Sequence, residues 1–90
     1  MTWRTQKVKN LANTLLSLKG EEEMLTFLRD LCSLDELVEI SNRWEIVKRL
    51  ETGATYREIA KDLKVSTATV TRVSKWVKEG KGGFGKALKK

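Results

Sequence analysis

From Thr55 to Lys78 the chain sets cationic, hydroxyl and methyl side chains at helical spacing, a combination suited to an anionic partner. Arg57 and Lys61 stand one helical turn apart. Ser66, Thr67, Ala68, Thr69, Thr71, Arg72, Ser74, Lys75 and Lys78 follow, and no acidic residue interrupts the run from Leu63 to Lys78. Small hydroxyl and methyl groups let a helix lie deep in a DNA major groove. Threonine and alanine methyls can meet the thymine methyl, and hydroxyls can bond base edges or phosphates. Arg72, Lys75 and Lys78 can neutralise phosphates, and free N–H groups at a helix start at Ser66–Thr67 can bind one. A solvated helix face would carry the same residue types. The DNA reading prevails because of the packing pattern that comes with it.

That pattern is bihelical. Thr55-Tyr56-Arg57-Glu58 matches a capping box, so a helix starts after Thr55. Ile59, Ala60 and Leu63 face inward, and small Ala60 allows a close crossing. Lys64-Val65-Ser66 makes a tight turn with Val65 as its plug. Ser66 caps a second helix, from about Thr67 to Lys78, with Val70, Val73 and Val77 inward and Gly80 as its stop. Two short helices joined in this way form a helix-turn-helix at 55–78. Lys64 holds a turn position usually given to Gly, at a cost of about 1 kcal/mol.

Other chemical signals are weaker. Gly80-Lys81-Gly82-Gly83-Phe84-Gly85 spells G-x-G-x-x-G, but no strand precedes it, and Ala87 stands where a phosphate loop needs Ser or Thr. Asp35, Glu36 and Glu39 share a helix, which capping and solvation explain. Histidine is absent, and Cys32 is the lone cysteine. These counts exclude His-based catalysis, a His or Cys metal site and an internal disulfide. The chain reads as a non-enzyme with neither cofactor nor metal. Cys32 falls in an apolar stripe and reads as a buried structural thiol.

The remaining elements must position the helix-turn-helix. The chain has 90 residues, no proline, 40% apolar and 33% charged residues, and eighteen Lys+Arg against twelve Asp+Glu, a net charge of +6. One small all-α domain over residues 1–79 is expected, with a basic Gly- and Lys-rich tail over 80–90 that is mobile and weakly anchored by Phe84 and Leu88. Val8, Leu11, Ala12, Leu15 and Leu16 mark a first helix ended at Gly20. Glu21, Glu22 and Glu23 open a second, with Met24, Leu25, Leu28 and Leu31 on its stripe. Ser33-Leu34-Asp35-Glu36 opens a short third helix carrying Leu34, Leu37, Val38 and Ile40. Ser41 or Asn42 then caps a fourth, with Trp44, Ile46, Val47 and Leu50 inward and Gly53 as terminator. With the bihelical pair this makes six. No apolar run approaches a membrane span, and the N-terminus lacks the pattern of a secretory signal, so a cytoplasmic protein is expected.

Arg57-Glu58-Ile59-Ala60-Lys61-Asp62-Leu63 followed by Ala68-Thr69-Val70-Thr71-Arg72 resembles the helix-turn-helix of the tryptophan repressor superfamily. The likeness runs upstream through Arg43-Trp44-Glu45-Ile46-Val47 and covers about residues 8–78. With its Gly- and Lys-rich end, the pattern looks most like the TrpR-related YerC/YecD family. The resemblance implies an intertwined homodimer of six-helix chains that binds double-stranded DNA as a transcriptional repressor. It carries DNA contacts onto Arg57, Lys61, Thr67, Ala68, Thr69, Thr71, Ser74 and Lys78. The family's corepressor pocket maps onto Arg43, Arg72, Val73 and Trp76. Val73 stands for a glycine there, and Trp76 for a serine that helps hold the ligand's amino group. Both would crowd an indole, so L-tryptophan is not the expected effector and the effector's identity stays open. The rival reading is a helical dimer that serves as a protein-interaction module without specific DNA reading. The absence of carboxylates on the presumed DNA face argues against it. Single-strand or RNA binding would need exposed aromatics, for which only Tyr56 and Phe84 qualify.

Overall fold

The computed structural model describes residues 2–90 and contains six helices and no strand among them: α1 (Gln6–Ser17), α2 (Gly20–Leu31), α3 (Leu34–Glu51), α4 (Tyr56–Leu63), α5 (Thr67–Glu79) and α6 (Gly83–Leu88). The chain divides into two compact units, with the boundary between Leu37 and Val38 inside α3.

The helix starts follow local chemistry. Thr5 caps α1 by accepting the Val8 N–H at 3.2 Å. At α3 the capping box closes in both directions: the Ser33 hydroxyl accepts the Glu36 N–H at 3.1 Å, and the Ser33 N–H donates to the Glu36 carboxylate at 2.8 Å. Hydrogen bonding from Ser33, its backbone N–H first and its side chain second, favours the carboxylate and holds the Glu36 pKa below its ordinary value. At α4, the Thr55 hydroxyl accepts the Glu58 N–H at 3.1 Å and donates to the Glu58 carboxylate at 3.0 Å.

The helix total matches the expectation, but the set of helices differs. The expected third and fourth helices are one, because Ser41 does not act as a cap. Its hydroxyl donates to the Val38 carbonyl at 3.2 Å, a bond a serine makes within a continuous helix. The sixth helix lies in the expected mobile tail. Phe84 and Leu88, four residues apart, share one face of α6 and pack against the core of their unit. The two large apolar residues of an otherwise Gly- and Lys-rich segment thus anchor a helix there.

In the unit up to Leu37, no described residue is buried, although α1 and α2 each carry an apolar stripe. Cys32 departs from its expected place. It is the C-cap of α2, partly exposed, with its N–H bonded to the Leu28 carbonyl.

The unit from Val38 onward holds the core. Ile46, Val47, Ile59, Ala60, Val70 and Val73 form one buried cluster drawn from α3, α4 and α5, with Trp44, Leu50, Ala54, Leu63, Val65, Phe84 and Leu88 around it. Gly53 terminates α3 in left-handed geometry, φ 86°, and the Ala54 N–H returns to the Arg49 carbonyl. Lys64 ends α4 at φ 58°, ψ 44°, the one described residue other than glycine with positive φ.

Two outcomes follow from these geometries. Lys64→Gly removes the left-handed strain and should stabilise the protein by up to about 1 kcal/mol; a raised denaturant midpoint at unchanged slope checks it. The Glu36 contribution is present above the glutamate's unfolded pKa and is lost as pH falls through its lowered folded pKa. Glu36→Gln, which removes the titrating group, should therefore flatten the acid limb of the stability–pH curve, read by urea titration at several pH values.

Candidate nucleic-acid interface

The helix-turn-helix is built as its spacing indicates. Ser66 caps α5, its hydroxyl accepting the Thr69 N–H at 3.1 Å. Val65 plugs the turn, and its N–H reaches back to the Ala60 carbonyl at 3.0 Å. α4 and α5 contact each other closely, with Ile59 and Val70 fully buried between them and α3. Arg49 of α3 meets Asp62 of α4 at 2.7 Å on the surface. An exposed pair of this kind contributes at most about 1 kcal/mol, so apolar burial carries the positioning.

The mounting decides which side chains face outward. Thr67, Ala68, Thr71, Arg72, Lys75 and Lys78 of α5 are exposed, as are Arg57 and Lys61 of α4 and the cap Ser66. Thr69 is half-buried, and its hydroxyl lies 2.9 Å from that of Ser66. Ser74 is the correction. It is 6% exposed and faces the core, so it cannot serve as a contact residue. At 100° per residue, position 74 lies about 40° from the buried Val70, and a small polar residue there needs an internal partner.

That partner is Tyr56, whose hydroxyl lies 2.6 Å from the Ser74 hydroxyl. The bond ties the first residue of α4 to the middle of α5. By residue type alone Tyr56 reads as an exposed aromatic. The available signal was the inward phase of Ser74 amid valines.

The four residues assigned to a degenerate pocket do come together. Arg43, Arg72, Val73 and Trp76 line one cleft with Glu39, Asn42, Ile46, Val65 and Thr69, of about 210 Å³. Organic-ligand sites usually enclose about 300–1,000 Å³. Val73 is 2% exposed and occupies its place in the core rather than leaving space. The Arg43 guanidinium lies over the Trp76 ring at 4.7 Å and 3.8 Å from the Glu39 carboxylate, so it is engaged on two sides.

A wider open cleft of about 570 Å³ is walled by Trp76, Val77, Phe84 and the Gly80–Gly85 segment. Gly80 turns so tightly that a Cβ there would sit 2.6 Å from the Trp76 carbonyl oxygen. Phe84 stacks with Trp44, ring centroids 6.3 Å apart. The segment expected to be a mobile tail, weakly anchored by Phe84 and Leu88, is thus part of this body.

Comparison with known proteins agrees with this geometry. The family model described as Trp repressor protein matches residues 6–90. The chain belongs to the Trp repressor family. Within that family it is 35% identical over 85 residues to the Bacillus subtilis (strain 168) protein YerC, which is uncharacterized, covering 94% of this chain and 82% of YerC. A crystal structure of a TrpR-like protein from Eubacterium eligens ATCC 27750 superposes with a TM-score of 0.90 at 35% identity, covering 96% of this chain and 89% of that one. A crystal structure of a candidate Trp repressor from Staphylococcus aureus gives 0.89 at 30% identity, over 96% and 86% of the two chains. The likeness to the Trp repressor family thus includes α6 as well as the helix-turn-helix.

The Tyr56–Ser74 bond gives a test of how α5 is held. Tyr56→Phe leaves a buried hydroxyl without a partner and should cost about 1–3 kcal/mol. Adding Ser74→Ala should recover much of that loss, because the orphaned group is gone. Chemical denaturation of the two single variants and the double variant measures the coupling.

Proposed function

We propose that the chain is a sequence-specific, double-stranded DNA-binding transcriptional regulator, a repressor acting as a homodimer, that does not respond to tryptophan. The observation that carries this reading is the outward face of α5. It presents Thr67, Ala68, Thr71, Arg72, Lys75 and Lys78 together, without a carboxylate before Glu79, on a helix seated by fully buried side chains. Helix α5 enters the major groove. Arg57 and Lys61 on α4 meet the backbone, and the α5 start at Ser66–Thr67 offers N–H groups to a phosphate.

The dimer reading rests on the N-terminal half. None of residues 2–45 is buried. Leu16 is 82% exposed, and Val8, Leu11, Leu25, Leu31, Leu34, Val38 and Ile40 are open as well. Helices of 12 residues, as α1 and α2 are, gain little stability alone and need their apolar stripes covered. A second copy of the chain, interlocked through these helices, covers them. Two helix-turn-helix units then read half-sites about 34 Å apart.

The small cleft, the buried Val73 and the engaged Arg43 support a regulator without a tryptophan site. Calorimetric titration with L-tryptophan should show no micromolar binding. Among the described residues no helix is long and apolar enough to cross a membrane, and a cytoplasmic location fits a DNA-binding role.

Selection from random duplex DNA, with the protein's mass measured alongside, tests the reading. A dimer enriching a two-fold-symmetric site is expected. Salt-sensitive binding with no enriched sequence would instead favour the interaction-module alternative. In the same assay Lys75→Ala or Lys78→Ala should weaken all duplexes similarly and lower the slope of log affinity against log salt by about 1 each.

A further inference from the structure

The hydroxyl groups at the reading end of α5 are largely engaged within the helix itself. Thr71 donates its single proton to the Thr67 carbonyl at 3.0 Å. Ser66 accepts the Thr69 N–H, and the Ser66 and Thr69 hydroxyls share a proton across 2.9 Å. A hydroxyl that bonds back to the preceding turn has no donor left for a base.

The centre of the exposed face lies at Ala68 and Thr71, one helical turn apart. In a helix-turn-helix the N-terminal residues of the second helix meet the base edges. Ala68 offers only a methyl group. Thr71, with its proton committed inward, can donate to no base, keeps only acceptor lone pairs on its hydroxyl and offers its methyl as the apolar contact. The two positions are about 4.5 Å apart along the helix axis, between one and two of the roughly 3.4 Å steps that separate successive bases. In the major groove, the base feature that complements a methyl is the thymine C5-methyl.

Resting on the DNA reading above, we infer that α5 selects thymine by methyl contact: Ala68 and Thr71 pack against C5-methyl groups of neighbouring A·T pairs in each half-site, and no base hydrogen bond is donated by Thr71. Arg72, Lys75 and Lys78 supply affinity through phosphates, and Thr67 lies at the helix start beside the phosphate-binding N–H groups. The operator half-site therefore contains one or two thymines whose methyl groups, rather than their hydrogen-bonding edges, are recognised.

The test uses the full-length protein and the duplex obtained by selection, with each half-site thymine replaced in turn by deoxyuridine, which removes only the methyl. Fluorescence anisotropy should show a loss of about fourfold at one or two positions, the worth of one buried methyl group. Thr71→Val keeps an outward methyl and should retain the uracil penalty. Thr71→Ser keeps the hydroxyl, removes the methyl and should abolish the penalty at its own position. Circular dichroism confirms that both variants fold.

Uracil tolerated at every position overturns the inference, and so does a Thr71→Ser protein that still discriminates. Failure of Thr71→Val alongside normal binding by Thr71→Ser would show that the hydroxyl does the reading. If selection enriches no sequence at all, the DNA reading itself fails. An enriched site indifferent to its thymine methyls removes the methyl contact alone.

Discussion

The burial of Ile59 against Val70, with Ile46 and Val47 of α3 behind them, is the constraint on which the functional surface depends. Each of these side chains contributes about 1.5–3 kcal/mol when fully buried. The ion pairs of the same body are all solvent-exposed, and each is worth at most about 1 kcal/mol. Apolar contact therefore sets the rotation of α5 about its axis. Once Val70 and Val73 turn inward, Ala68, Thr71 and Lys75 must turn outward. Ala60 serves the same end, since a larger residue at that crossing would hold the helices apart.

A second contrast runs along the chain. Residues from Val38 onward enclose a core within one copy, whereas the preceding residues carry helical stripes and bury none of them. The apolar content of α4 and α5 serves positioning, while the stripes of α1 and α2 stay uncovered within one copy. The filled cleft around Val73 and the stacked Arg43–Trp76 pair belong to the positioning part, where they join α3 to α5 without leaving a deep cavity.

Much of this was legible in the residues. The caps at Ser33, Thr55 and Ser66, the terminator at Gly53 and the inward set Ile59, Ala60, Leu63, Val65, Val70 and Val73 are local signals, and the structure shows each of them. The errors have local causes as well. Ser41 looks like a cap, but a serine side chain can equally bond the previous turn, and nothing nearby in sequence decides which. The Gly- and Lys-rich end looks mobile by composition, yet Phe84 and Leu88 gain enough from the core to order a helix. Cys32 continues the α2 stripe in phase, but the helix ends just before it. Ser74 was placed outward by residue type when helical phase put it inward, and its bond to Tyr56, eighteen positions away, is a tertiary fact that no local pattern contains.

The most direct test of the central claim, that the outward face of α5 is the DNA-reading surface, is chemical-shift mapping of isotopically labelled protein titrated with its selected duplex. The account predicts that the largest perturbations fall on the amides from Ser66 to Lys75, with a second group near Arg57 and Lys61 and little change in α1 and α2. Perturbations centred on α1 and α2, or spread without preference over the cationic surface, would contradict it.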